Sequence, residues 1–181
     1  EAFEKNGNSL VLTAVNGKLI LLMGIRDQIR EGVRAELRRL KKLGVKNLIV
    51  LSGDNHGTVD LVAKELGLTE AYGNMLPEDK ANYIATLQKQ GQIVAFVGDG
   101  VNDSPSLAIA NIGIAMGNGT DVAIETSDVV LINSNFSYLP HALGLTKATV
   151  RNMRQNILIA VGVVAFLLFS LFFSEWMNMS I

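Results

Sequence analysis

No cysteine occurs among the 181 residues, so neither a disulfide nor a thiolate metal site is available within them. Charge of one sign is also lacking. Lys and Arg number 16 against 17 Asp and Glu, for a net −1, and a chain this balanced carries no field that would gather a nucleic acid. A nucleic-acid partner is therefore not expected. The opening, Glu1-Ala2-Phe3-Glu4-Lys5, has neither a signal-peptide pattern nor an initiator Met, and further chain is expected before it. Internal repeats and low-complexity segments are absent. The length suffices for one domain with a real core.

Hydrophobic residues are unevenly placed. From Ile157 to Phe173 every residue is apolar or small, a run at the short end of what spans a bilayer. A buried core helix is the alternative reading of such a run. Lys147, Arg151 and Arg154 stand just before it, and Glu175 and Trp176 just after. Basic residues collect on the cytoplasmic side, which puts the preceding domain in the cytoplasm, and Trp176 suits an interfacial anchor. Membrane lipid is thus an expected partner.

The densest chemistry lies in Gly98-Asp99-Gly100-Val101-Asn102-Asp103-Ser104-Pro105. An apolar run, Ile93–Val97, precedes it and reads as a buried strand; Ser106–Ala110 follows and reads as a helix. Glycines on both sides of Asp99 let the chain turn sharply and bring its backbone close to a ligand. Asp99, Asn102 and Asp103 are then presented at a strand's carboxyl end, where open α/β sheets bind ligands. Clustered hard oxygens suit Mg²⁺, and Mg²⁺ suits phosphate. The plainer alternative is a polar turn with a capping Asp.

Other elements follow from pattern. Ser9–Val15 and Lys18–Met23, split by Asn16-Gly17, read as a hairpin. Asp27 is a natural N-cap for a helix whose inner face is Ile29, Val33, Leu37 and Leu40, with Gly44 as its C-cap. Asn47–Leu51 reads as a buried strand ending in Ser52-Gly53-Asp54-Asn55, and Thr58–Leu66 as a helix with Leu61, Val62 and Leu66 inward. A short strand at Glu70–Gly73 follows, then a helix opened by Pro77. Strands at Ile112–Ala115 and Val129–Ile132 flank a short helix at Asp121–Glu125. From about Tyr138 the chain reads as helical. Strands and helices alternating over short links predict a parallel sheet with helices on both faces.

Ser52, Asp99 and Lys80 make a constellation. A hydroxyl and the Gly53 N–H donate to phosphoryl oxygens, an ammonium neutralises phosphate as a point charge, and a carboxylate holds Mg²⁺. Phosphoryl transfer relies on such positioning and charge stabilisation. Taken singly, Ser52 serves equally as a helix cap and Lys80 as a surface lysine.

These motifs resemble those of P-type cation ATPases. Ser52-Gly53-Asp54, Pro77-Glu78-Asp79-Lys80 and Gly98–Pro105 look like the motifs of their phosphorylation domain, which belongs to the haloacid-dehalogenase-like class. Ala108–Gly117, Asp121-Val122-Ala123 and Ser127–Leu131 continue the likeness, and Asp27-Gln28-Ile29-Arg30 resembles an Asp-x-x-Arg element near the nucleotide. Within the family the chain is most similar to heavy-metal pumps.

The resemblance implies a Rossmann-like α/β fold followed by a transmembrane helix. Residues 1–24 would be a remnant hairpin at the junction of the nucleotide-binding and phosphorylation domains. Residues 25–140 would be the phosphorylation domain without its nucleophile strand, and 141–181 a linker helix and membrane helix. Asp99 would bind the catalytic Mg²⁺, with Asn102 and Asp103 supporting metal and phosphate. Lys80 would offset charge on the aspartyl phosphate, Ser52 and Gly53 would hold its oxygens, and Asp54 would order their loop. Asp27 and Arg30 would orient ATP. The implied whole is a multi-pass cell-membrane pump with this domain in the cytoplasm, partnered by the remaining N-terminal part and a transported heavy-metal cation.

Departures from the family pattern are specific. The nucleophile string Asp-Lys-Thr-Gly-Thr is absent, as is the Asp-x-Asp of simpler phosphatases. This chain alone is therefore expected to be inactive. Ile157–Phe173 lacks both the Tyr-Asn usual in copper pumps and the Lys frequent in zinc or cadmium pumps, and elimination leans toward a cobalt-like or other divalent cation of the zinc, cadmium or cobalt class. Two other readings are a soluble Mg²⁺-dependent phosphatase of the same class and a catalytically dead, membrane-anchored regulatory module.

Overall fold

A computed structural model of the chain describes residues 9–25, 28–117, 119–131 and 135–179. The chain divides into two units, Glu1–Pro140 and His141–Ile181.

The first unit opens with an antiparallel hairpin, β1 (Ser9–Val15) and β2 (Lys18–Ile25). Asn16 and Gly17 both take positive φ, 49° and 77°, the primed turn that matches strand twist and that a Cβ-free residue adopts at no cost. The side chains of Leu12, Leu19 and Ile20 are exposed.

Helix α1 spans Val33–Lys42 and buries Leu37 and Leu40. Its N-cap is Gly32, in a left-handed conformation, so the start expected at Asp27 is corrected; Asp27 itself lies outside the described residues. Gly44 does end the helix, in a Schellman arrangement. Its N–H donates to the Lys41 carbonyl at 2.9 Å and that of Val45 to the Leu40 carbonyl at 3.1 Å.

The strands that follow are parallel, as alternation with helices requires. β3 (Ile49–Leu51) pairs with β4 (Glu70–Tyr72). β6 (Ile112–Met116) pairs with β5 (Ala95–Gly98) on one side and β7 (Val129–Leu131) on the other. Among the described residues these form two separate ladders, so β3 and β5 each have a hydrogen-bonded neighbour on one edge only. Between the strands run α2 (His56–Leu66), α3 (Pro77–Lys89), α4 (Ser104–Ile109) and α5 (Asp121–Glu125).

The core gathers Val59 and Ala63 of α2, Ile84 of α3, Leu107 of α4, Ile114 and Ala115 of β6, Ala123 of α5 and Leu131 of β7. Two expectations change here. Val59 and Ala63, four apart and so on one face, turn inward in α2 while Leu61 is exposed. Ile93 is exposed and precedes β5, which begins at Ala95.

The second unit is almost wholly one helix, α6 (Tyr138–Met179). Its 42 residues give a rod of roughly 63 Å at 1.5 Å per residue. Over its most apolar stretch the mean hydropathy is 2.8, none of it buried within the chain. A core helix of a soluble protein buries such a surface; α6 is long and apolar enough to cross a membrane.

Candidate functional site

The polar groups converge on the carboxyl ends of β3 and β5. After β3 the chain turns through Ser52, Gly53 and Asp54, and Asn55 caps α2 by accepting from the Gly57 N–H at 2.8 Å. Within the turn the Ser52 hydroxyl donates to Asp54 Oδ2 at 2.7 Å and accepts from the Asp54 N–H at 3.1 Å. Asp54 thus holds the hydroxyl in one orientation.

This turn is splinted from outside by the segment after β4. The Ser52 N–H donates to the Tyr72 carbonyl at 2.9 Å, the Asn74 N–H to the Asp54 carbonyl at 2.7 Å, and the Met75 N–H to the Ser52 carbonyl at 3.0 Å. Gly73 passes so close that a Cβ there would stand 2.5 Å from the His56 Cα and 2.8 Å from the Asp54 carbonyl oxygen. The same segment leads into α3, where the Leu76 N–H donates to Asp79 Oδ2 at 2.9 Å, fixing the helix start at Pro77, three residues before Lys80.

Lys80 reaches across to the other strand end. Its Nζ lies 2.8 Å from Asp103 Oδ1, with the two side chains only 12% and 17% exposed. Asp103 closes a 3-10 turn, Val101–Asp103, at the end of β5. Its carboxylate folds back over Gly98, where a Cβ would meet the Asp103 Cβ at 2.7 Å and Oδ2 at 2.9 Å. A residue larger than glycine at position 98 would displace Asp103 from Lys80. Asn102 and Asp99 are exposed. The Asp99 main-chain carbonyl accepts from the Thr120 N–H at 3.0 Å.

A second polar cluster fastens α3 to β4. Glu70 Oε2 accepts from the hydroxyls of Tyr72 and Tyr83, each at 2.8 Å, and the two rings lie 4.8 Å apart. The Tyr83 hydrogen bond, then that of Tyr72, holds the Glu70 carboxyl below its ordinary range. Burial first, then its hydrogen bonds to Tyr72 and Glu70, pushes the Tyr83 phenol well up. Lys80 and Tyr83 therefore tie α3 to Asp103 after β5 and to Glu70 of β4.

The structure brings Lys80 and Asp103 into contact and sets Ser52, Gly53 and Asp54 in one turn. Arg30 lies exposed before α1. Among the described residues no three His, Cys, Asp or Glu gather into a metal cage. That fits Mg²⁺, which takes one or two carboxylates and keeps its remaining sites for water and phosphate. Asp99 and Asp103 are the two carboxylates at this strand end that could serve in such a set. The splint at Gly73–Met75 and the strap at Thr120 carry no residue-type signal, because main-chain atoms make their contacts.

A family description, haloacid dehalogenase-like hydrolase, matches residues 1–111. The chain belongs to the haloacid dehalogenase-like hydrolase family. The proteins it is similar to include heavy-metal P-type ATPases. A copper-exporting P-type ATPase of Bacillus subtilis (strain 168) is 40% identical over 162 residues, and one of Staphylococcus aureus (strain JH9) 41% over 160, covering 90% and 88% of this chain. The chain spans only 20% of either relative's length. Among solved structures, a zinc-transporting PIB-type ATPase in its E2.Pi state superposes with a TM-score of 0.77 at 40% identity, over 89% of this chain and 26% of that one. The catalytic domain of the CPx-ATPase CopB-B gives 0.64 at 31% identity, over 73% and 53%. This hydrolase domain, with its parallel strands, helices and long apolar C-terminal helix, is thus of the heavy-metal P-type ATPase kind, as the motifs implied.

Proposed function

We propose that this chain is the phosphoryl-handling part of an ATP-driven heavy-metal pump, holding an aspartyl phosphate while it forms and is hydrolysed. The observation that carries the reading is the Lys80–Asp103 pair, 2.8 Å apart and largely buried, at the strand ends that also present Ser52 and Asp99. A buried ammonium matched to a carboxylate is poised to share its charge with an incoming anion.

In this reading the Ser52 hydroxyl and Gly53 N–H donate to phosphoryl oxygens, with Asp54 keeping the hydroxyl oriented. Lys80 stabilises the charge that builds on those oxygens. Asp99, with Asn102 and Asp103, would hold Mg²⁺, which when bound supplies neutralising charge to the phosphoryl group. Asp27 and Arg30 would orient the nucleotide. The acceptor aspartate comes from a strand outside these residues. Among the described residues β3 and β5 each keep one unpaired edge, which supports this, since a parallel strand paired between them would deliver its own carboxyl end to the same place. Without a nucleophile the 181-residue chain forms no covalent intermediate.

Helix α6 would cross the membrane, with the domain before it in the cytoplasm, and link this chemistry to ion movement. Copper and zinc proteins both stand among the relatives at 40% identity, so identity does not choose a metal. The absence of Tyr-Asn and of Lys from Ile157–Phe173 favours a divalent cation.

Radiolabelled ATP and an acid gel test the proposal. The complete protein is expected to form an acid-stable phosphoenzyme whose Mg²⁺-dependent turnover is lost in Asp99→Ala, and the 181-residue chain to form none. Wild-type turnover in Asp99→Ala, or stoichiometric labelling of the short chain, would refute it.

A further inference from the structure

Asp99 sits between Gly98 and Gly100 at the end of β5. Among the described residues its carboxylate has no hydrogen-bond or ion-pair partner. A carboxylate on so permissive a backbone points in many directions unless its own main chain is held. What holds it comes from the residues that follow β6. The Thr120 N–H donates to the Asp99 carbonyl oxygen at 3.0 Å. Gly119 lies against the same oxygen, and its own N–H donates to the Met116 carbonyl at 2.7 Å.

The fit leaves no room. A Cβ on Gly119 would stand 2.8 Å from the Asp99 carbonyl oxygen and 2.8 Å from that of Met116. Both are main-chain atoms, so neither yields by rotating a side chain. Relief to an ordinary 3.4 Å contact would move the Asp99 peptide by about 0.6 Å. Thr120 is itself fixed, because its hydroxyl caps α5 by accepting from the Ala123 N–H at 3.3 Å. The loop's other end is tied by the Gly117 N–H to the Leu131 carbonyl at 2.6 Å.

We propose that Gly119 and Thr120 are positioning residues for the metal-binding carboxylate, gripping the main chain of Asp99 and so setting where that carboxylate meets Mg²⁺. The inference rests on the reading of Asp99 as a metal ligand. Mg²⁺ demands near-ideal octahedral geometry, so a displacement of a few tenths of an ångström at one ligand is felt in affinity. Changes behind a metal ligand typically lower affinity by about 10- to 100-fold.

The test is direct Mn²⁺ binding to the complete protein, followed by electron paramagnetic resonance as a stand-in for Mg²⁺. The relevant site is the one lost in Asp99→Asn. Gly119→Ala is expected to weaken that site at least about tenfold, and Thr120→Ser, which keeps both the N–H and the hydroxyl, to bind as wild type. Thr120→Ala, which removes only the cap on α5, is expected to weaken it by a smaller factor and serves where Gly119→Ala does not fold. Phosphoenzyme formation in Gly119→Ala should need more Mg²⁺ yet reach the wild-type level at saturation. If Asp99→Asn loses the site while Gly119→Ala and Thr120→Ala both bind as wild type, the positioning role is overturned and the metal reading stands. If Asp99→Asn binds as wild type, the metal reading falls and takes this inference with it.

Discussion

Removing the Lys80 ammonium strands Asp103. Its carboxylate lies over Gly98 with one oxygen 2.8 Å from Lys80 Nζ, and both side chains are more than four-fifths buried. Deleting one partner of a buried ion pair costs roughly 3–5 kcal/mol, chiefly because the other charge stays out of water. With 12% and 17% of the side chains still wetted, solvent screening discounts that cost to just below the range, about 2–3 kcal/mol. Lys80→Met keeps most of the stem and so isolates the charge. Amide hydrogen exchange read by mass spectrometry reports opening free energies segment by segment, which separates this domain from α6. In Lys80→Met, protection of α3 and β5 is expected to fall about 30- to 150-fold, since 1.4 kcal/mol is a factor of ten. Adding Asp103→Asn should restore much of it, because a neutral amide is cheaper to bury than an unpaired carboxylate. Unchanged protection in Lys80→Met, or a further loss in the double variant, would refute the reasoning.

Two further outcomes follow from the structure. Glu70 is held below its ordinary carboxyl range by Tyr83 and Tyr72. Its contribution to stability is therefore fully present above the unfolded value, 4.5, and lost as pH falls through the lower folded value. Tyr83 is pushed up from 10.0, so its contribution is present below that value and lost as pH rises through the folded one. Protection of β4 and α3, taken relative to the intrinsic exchange rate at each pH, should fall at both extremes, and Glu70→Gln should flatten the acid limb; an acid limb unchanged in that variant would contradict this. For topology, a cysteine placed at Ser180 in the complete protein should take an impermeant reagent in intact cells and one at Ser137 should not, each compared with the parent protein. The reverse pattern would invert the orientation of α6.

Much of the fold is legible in residue pattern, and the reasons for the exceptions are physical. Asn16-Gly17 carries its turn conformation in its chemistry, and it folds as read. Gly44 likewise marks a helix end. Asp27 does not mark a helix start, because a capping side chain is a permissive signal and the chain nucleates five residues later behind Gly32. In α2 the larger Leu61 attracts an inward assignment, yet the small Ala63 and Val59 share the face that packs, and spacing decides over size. Within the site, Lys80 and Asp103 are marked by residue type and order, while their contact across 23 positions is visible only in the fold. Gly73–Met75 and Gly119–Thr120 hold the two turns through main-chain atoms. No periodicity or composition encodes such contacts, beyond the glycines that let the backbones approach.

The central claim is that Ser52, Lys80, Asp99 and Asp103 together receive a phosphoryl group. Beryllium fluoride with Mg²⁺ mimics an aspartyl phosphate, and hydrogen exchange of the complete protein with and without it tests the claim most directly. Slowed exchange is expected at 52–54, 98–103 and 119–120, with none at the Asn16-Gly17 turn, and loss of that protection in Asp99→Ala. Slowed exchange elsewhere with these three segments unchanged would contradict it.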